Sequence, residues 1–144
     1  MTPTSLQTTP ATKTASTEKT VYLLVVDDEA PITWMLKEDL EDAFSCVVLT
    51  ATDSQEALQH LETHPPIALM ITDYKMAGMD GLALANLVQQ QFPQTVVVML
   101  TAYVTPDLIK QAEEVSIRRV LNKPLKLPEI RRVVSEILQG CSRL

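Results

Sequence analysis

The chain has 144 residues, 46% of them apolar, and a net charge of −6. That length suits one domain with a real core. No apolar run is long enough to span a bilayer, and an acidic bulk argues against general nucleic-acid binding.

Residues 1–19 are rich in Thr, Ser and Pro and almost lack large apolar side chains. Such a segment cannot bury enough surface to offset its ordering entropy, so it reads as a disordered tail. It has neither the apolar stretch of a secretory signal nor the Arg of a typical transit peptide. A folded domain is expected over 20–140, with a short tail at 141–144 and no room for a second domain. Cys46 and Cys141 show no metal-ligand spacing and read as free thiols in a reducing compartment, which points to the cytoplasm.

From Val21 short apolar runs alternate with helix-period segments. The runs are VYLLVV (21–26), CVVLTA (46–51), IALMIT (67–72), TVVVML (95–100) and, weakly, RVLN (119–122). They are nearly continuous rather than alternating, as parallel strands covered on both faces require. Pro31 suits the first turn of a helix with Ile32, Met35, Leu36, Leu40 and Phe44 on one stripe. Ser54 reads as an N-cap ahead of Ala57, Leu58 and Leu61. Asp80 caps a segment with Leu84, Leu87 and Val88 inward. Thr105-Pro106 opens one with Leu108, Ile109 and Ala112. The last helix, near 127–139, carries Ile130, Val133, Val134, Ile137 and Leu138. Five β-α units imply a parallel sheet with right-handed crossovers and helices on both faces.

In open sheets of this kind, ligands bind beyond the carboxyl ends of the strands. Those ends carry Asp27-Asp28-Glu29, Asp73, Thr101 and Lys123-Pro124. Crowded carboxylates repel: two unit charges about 4 Å apart cost roughly 4 kcal/mol at an effective dielectric near 20. Either a pKa rises or a cation sits among them, and an all-oxygen set suits Mg²⁺. In that setting Asp73 is a nucleophile for phosphoryl transfer, with Lys123 and Thr101 stabilising the transferred group.

The stretches VVDDEAP (25–31), ITDYKMAGMDGLAL (71–84), MLTAY (99–103) and VLNKPL (120–125) together resemble the receiver domains of two-component signalling. The resemblance runs from Val21 to Gln139, each motif at its expected strand end. It implies a doubly wound flavodoxin-like (βα)5 sandwich with strand order 2-1-3-4-5. It implies that Asp73 is the phosphoacceptor, Asp28 a direct Mg²⁺ ligand, and Asp27 an acidic neighbour acting through water. The backbone carbonyl of Lys75 becomes a further metal ligand. Thr101 follows the phosphoryl group, Lys123 pairs with it, the Lys123-Pro124 bond is cis, and Gly81 opens the third helix. The implied partners are a histidine kinase or histidine phosphotransfer protein and a downstream protein target. The target would meet the face of the fourth helix, fifth strand and fifth helix. No direct contact with nucleic acid or membrane is implied, and the chain would be a monomer or a weak phosphorylation-dependent dimer. Catalysis would be limited to its own phosphorylation and dephosphorylation.

Three positions depart from the pattern. Ala77 stands where proline is usual, Val120 where the switch aromatic falls, and Ser116 where glycine is common. Tyr103 is a candidate substitute for the aromatic. A degenerate receiver acting as a scaffold is one alternative. An aspartyl-nucleophile phosphatase would want its second Asp two residues after the first, whereas Asp27 and Asp28 are adjacent. A flavin protein would need a hydroxyl- and glycine-rich phosphate loop where the acidic DDEAP stands. His60 and His64 read as solvated, Trp34 as either packed or partner-facing, and Met70, Met76, Met79 and Met99 as packing residues. Arg118, Arg119, Arg131 and Arg132 read as a wet basic face.

Overall fold

The computed structural model describes residues 20–63 and 66–142, the last two by backbone only. The tail expected over 1–19, His64, the Cys141 side chain and residues 143–144 lie outside the described residues. The elements in chain order are β1 (Val21–Val26), α1 (Ala30–Ala43), β2 (Cys46–Ala51), α2 (Ser54–Thr63) and β3 (Ile67–Asp73). They continue with α3 (Gly81–Gln91), β4 (Val96–Thr101), α4 (Pro106–Glu114), β5 (Ile117–Asn122) and α5 (Leu127–Ser142). All strand pairs are parallel, and the sheet order is β2-β1-β3-β4-β5. Strand order reverses between β1 and β3, which opens a crevice beyond their carboxyl ends.

The continuous apolar runs are explained by two buried faces. Leu24, Val26, Met70 and Met99 face Ala57, Leu84, Val88 and Leu108 from α2, α3 and α4. Their neighbours Leu23, Val25, Leu69 and Ile71 face Leu36 and Leu40 of α1 and Ile130, Val133, Val134 and Ile137 of α5. Each fully buried aliphatic side chain contributes roughly 1.5–3 kcal/mol, so these two layers hold the rim residues in place.

Two expected caps hold: Asp80 accepts from the Ala83 amide at 2.9 Å and Thr105 from the Leu108 amide at 3.1 Å. The third is corrected. Ser54 is the first residue of α2, and the side chain of Asp53 caps it by accepting from the Glu56 amide at 2.7 Å. Aspartate and serine both cap well, so composition alone misplaced the start by one residue. Ile109 also departs from its expected inward place: it is 43% exposed, while Leu108 and Ala112 carry the contact. The fifth strand begins at Ile117, two residues before the weak reading, because an edge strand tolerates the exposed Arg118 and Arg119. α5 runs to Ser142, so positions 141 and 142 continue the helix rather than starting a tail. Ser116 takes φ 61°, the left-handed conformation that makes glycine common there. His60 is half-buried and bonded to the Thr50 carbonyl rather than simply solvated. Trp34 is 64% exposed.

Candidate functional site

Four loops bring the predicted residues to one rim. Sheet hydrogen bonding continues just past the strand ends: the Asp27 amide donates to Ala51 at 3.0 Å, Tyr74 to Leu100 at 3.0 Å and Lys123 to Thr101 at 2.8 Å. The side chains of Asp27, Asp73, Thr101 and Lys123 are therefore fixed by sheet geometry rather than by free loops. Gly81 adds a close approach. A Cβ there would lie 2.4 Å from the Asp73 carbonyl oxygen, so only glycine lets α3 start this near the strand end. The Lys123-Pro124 bond is cis, as the resemblance implied.

Lys123 lies at the centre. Its Nζ is 3.1 Å from Asp27 Oδ2 and 3.3 Å from Asp73 Oδ1. Asp27 is almost wholly buried, and its other oxygen accepts from the Glu29 amide at 2.9 Å. Asp28 is exposed at the mouth of the site. Oxygen atoms of Asp27, Asp28 and Asp73 all lie within 4.8 Å of one another. The cleft above them measures about 230 Å³ and is lined by Asp28, Asp73, Lys75, Thr101, Tyr103 and Lys123.

Electrostatics follow from three acids sharing one ammonium. Burial, and then the charge of Asp27, push the Asp73 carboxyl above its ordinary range, with Lys123 partly opposing them. For Lys123, burial is the largest single influence and pulls its pKa down. The hydrogen bond to Asp27 and the charges of Asp27 and Asp73 outweigh it, so the ammonium is held above its usual range. The acidic cluster is short of positive charge, and its donors are all oxygen, which is the chemistry a hard divalent cation takes.

The Thr101 side of the cleft is built differently. Thr101 is 2% exposed, and its Oγ1 accepts from the Tyr103 amide at 3.1 Å, leaving its proton free to donate. Tyr103 is 68% exposed and carries the Lys75 ammonium 5.3 Å from its ring centre, a cation–π contact across the cleft mouth. The resemblance assigns Lys75 a role only through its carbonyl, and no local pattern signals a pairing between residues 28 positions apart. Val120 is half-buried against the α2–α4 side of the core, so the position of the usual aromatic is filled by a small aliphatic group. Met70 and Met99 are core residues, and Met76 and Met79 pack partly buried beside them. Of the basic residues, Arg119 pairs with Glu136 at 3.0 Å and Arg131 forks onto Asp39, while Arg118 and Arg132 are exposed.

A profile of the response regulator receiver domain matches residues 23–135. The DNA-binding transcriptional regulator NtrC of Klebsiella pneumoniae is 35% identical over 106 residues, covering 73% of this chain and 22% of that protein. The response regulator protein PilR of Pseudomonas aeruginosa is 34% identical over 116 residues, covering 81% and 26%. The chain thus spans about a quarter of the length of these relatives. Among solved structures, the signal receiver domain of an HD domain-containing protein from Pseudomonas fluorescens Pf-5 superposes with TM-score 0.81 at 28% identity. That match covers 88% of this chain and all of the other. The chemotaxis response regulator CheY4 of Vibrio cholerae gives TM-score 0.75 at 26% identity, covering 83% and 99%.

Proposed function

The chain belongs to the response regulator receiver family, and from that premise we propose that it is a regulatory domain that accepts a phosphoryl group on Asp73. The observation that carries the reading is Lys123, held between Asp27 and Asp73 in a cleft that also presents Asp28 and Thr101. One Asp73 carboxylate oxygen attacks phosphorus of a phosphohistidine on a histidine kinase or phosphotransfer protein. The P–N bond breaks, its electron pair stays on the imidazole nitrogen, and that nitrogen takes a proton from solvent.

Each neighbour has a defined task. Asp27 anchors the Lys123 ammonium and the Glu29 amide, so the lysine waits at the reacting carboxylate without searching rotamers. After transfer Lys123 pairs with a phosphoryl oxygen, and Thr101 donates its free proton to another. Asp28, Asp73 and the Lys75 carbonyl would hold Mg²⁺, with Asp27 acting through water. Bound there, the ion supplies charge that offsets the phosphoryl oxygens and the acid cluster. The Asp73 carboxyl displaced upward by burial and by Asp27 is what such a cation would relieve.

The new charge beside Thr101 shifts an existing two-state equilibrium, and a protein partner reads the shift. With Val120 in place of an aromatic, the response runs through Thr101 and its Tyr103 bond rather than through a rotating ring. No helix among the described residues is long and apolar enough to cross a membrane, and a cytoplasmic site of action accords with the free-thiol reading of Cys46. The acid cluster and Lys123 favour an active receiver over a degenerate scaffold.

The test is incubation with Mg²⁺ and acetyl phosphate, followed by intact mass. The wild type gains one phosphoryl group and Asp73→Asn gains none. A wild type that gains nothing from acetyl phosphate or from any histidine kinase contradicts the reading.

A further inference from the structure

β2 lies at one edge of the sheet, and its six residues, CVVLTA, include no charge and no proline. A neutral, β-branched edge strand is a template for pairing with another chain. Val47 on this strand is 37% exposed, so the strand itself does nothing to discourage pairing. The opposite edge differs: β5 carries the exposed Arg118 and Arg119 within the strand.

The guard on β2 comes from the helices. The Asp27 amide bonds to the Ala51 carbonyl, so Ala51 turns its backbone toward β1. Backbone groups alternate sides along a strand, which turns Val48, Thr50 and Thr52 outward. The Val48 amide donates to Glu41 Oε2 at 2.8 Å, and the Val48 carbonyl accepts from Lys37 Nζ at 3.0 Å. Lys37 and Glu41 are themselves joined at 2.7 Å. The Thr50 carbonyl takes a bond from His60 Nε2 at 2.9 Å, and the Thr52 amide donates to Glu56 Oε1 at 2.9 Å. The hydrogen bond from Lys37, and then that from the Val48 amide, hold the Glu41 carboxyl below its ordinary range. α1 and α2 pack on opposite faces of the sheet, so the edge is gripped from both sides.

We propose that Lys37, Glu41 and His60 close the β2 edge against strand addition, and that the occupant they exclude is β2 of a second copy of this chain. An identical copy is the best fit because two neutral CVVLTA strands paired about a twofold axis set no like charges opposite each other. The side chains take the backbone partners that the second strand would need. This device stands apart from phosphoryl chemistry and is tested separately.

The experiment uses the full chain with Lys37→Ala, Glu41→Ala and His60→Ala combined, its fold checked by circular dichroism and its mass followed by sedimentation over a concentration series. The triple variant shifts toward dimer and larger species beyond anything the wild type shows, and adding Val47→Lys returns it to the wild-type distribution. A folded triple variant that sediments like the wild type at every concentration overturns the proposal, as does association that Val47→Lys leaves unchanged. If the triple variant loses its fold, amide exchange in the wild type decides. The Val48 amide, held by Glu41, exchanges more slowly than the amide of exposed Ser45 if the edge is closed, and equal exchange overturns the proposal.

Discussion

The two rims of the sheet make an instructive pair. At the amino rim, under β4 and β5, lies the larger cavity, about 450 Å³, with Gln89, Thr95, Glu113, Ser116 and Arg118 among its lining. At the carboxyl rim the cleft is about half that volume, yet its lining includes the carboxylates of Asp28, Glu29 and Asp73, two ammonium groups and a buried hydroxyl. At the amino rim the lining holds a single acid and a single base among neutral residues. At the carboxyl rim the charges crowd closely enough to displace one another's proton affinities. The proposed function therefore rests on convergence of unlike groups held by sheet hydrogen bonds rather than on volume, and every variant below tests that contrast.

The largest effect belongs to Asp73. Asp73→Asn abolishes phosphoryl incorporation, read as intact mass after Mg²⁺ and acetyl phosphate. The same variant tests the electrostatics. Because the folded Asp73 carboxyl is raised, its stabilising contribution is fully present below the unfolded pKa and lost as pH rises through the folded one. In chelator, Asp73→Asn is therefore more stable relative to the wild type at neutral pH than in acid. Thermal unfolding at both pH values checks this, and a pH-independent difference breaks the argument.

Lys123→Ala comes next. It leaves the buried Asp27 without its cation, and a fully buried pair broken this way costs about 3–5 kcal/mol. The Lys123 side chain is 19% exposed, so about 2–4 kcal/mol is expected by denaturant titration. Loss of one preorganised donor also slows phosphoryl uptake by about 10²-fold. Thr101→Ala is milder. It keeps uptake on Asp73 and removes the bond from the Tyr103 amide, costing about 1 kcal/mol. Its signature is phosphorylation that no longer changes the near-ultraviolet signal of Tyr103.

The amino rim supplies the smallest effects. Glu113→Ala and Arg118→Ala leave uptake unchanged and stability within about 0.5 kcal/mol, as surface substitutions usually do. An effect on phosphorylation from either would erase the contrast between the rims.

Much of this was legible in the sequence because the relevant signals are local. Continuous apolar runs announced strands buried on both faces, and Asp27, Asp28, Asp73, Thr101 and Lys123 fell at strand ends where an α/β sheet gathers its chemistry. What could not be read depends on atoms far apart in the chain. Nothing in the sequence says that Lys123 bridges two acids rather than one, since 96 positions separate it from Asp27. Asp53 and Ser54 are equally good caps in isolation, and only the helix geometry chose between them. His60 looked solvated because its partner is a backbone carbonyl on β2, and a backbone group carries no mark in a sequence. Lys75 over Tyr103 was missed because the two lie far apart in the chain and meet only through the fold.

The central claim is that the transferred group resides on Asp73. Reduction of the freshly phosphorylated protein with borohydride converts an acyl phosphate on aspartate into homoserine, and peptide mass spectrometry then reads the residue at position 73. The account predicts homoserine at 73, formed only when Mg²⁺ and the phosphoryl donor are both present. Homoserine at Asp27 or Asp28, or phosphorylated protein with an unaltered Asp73, would contradict it.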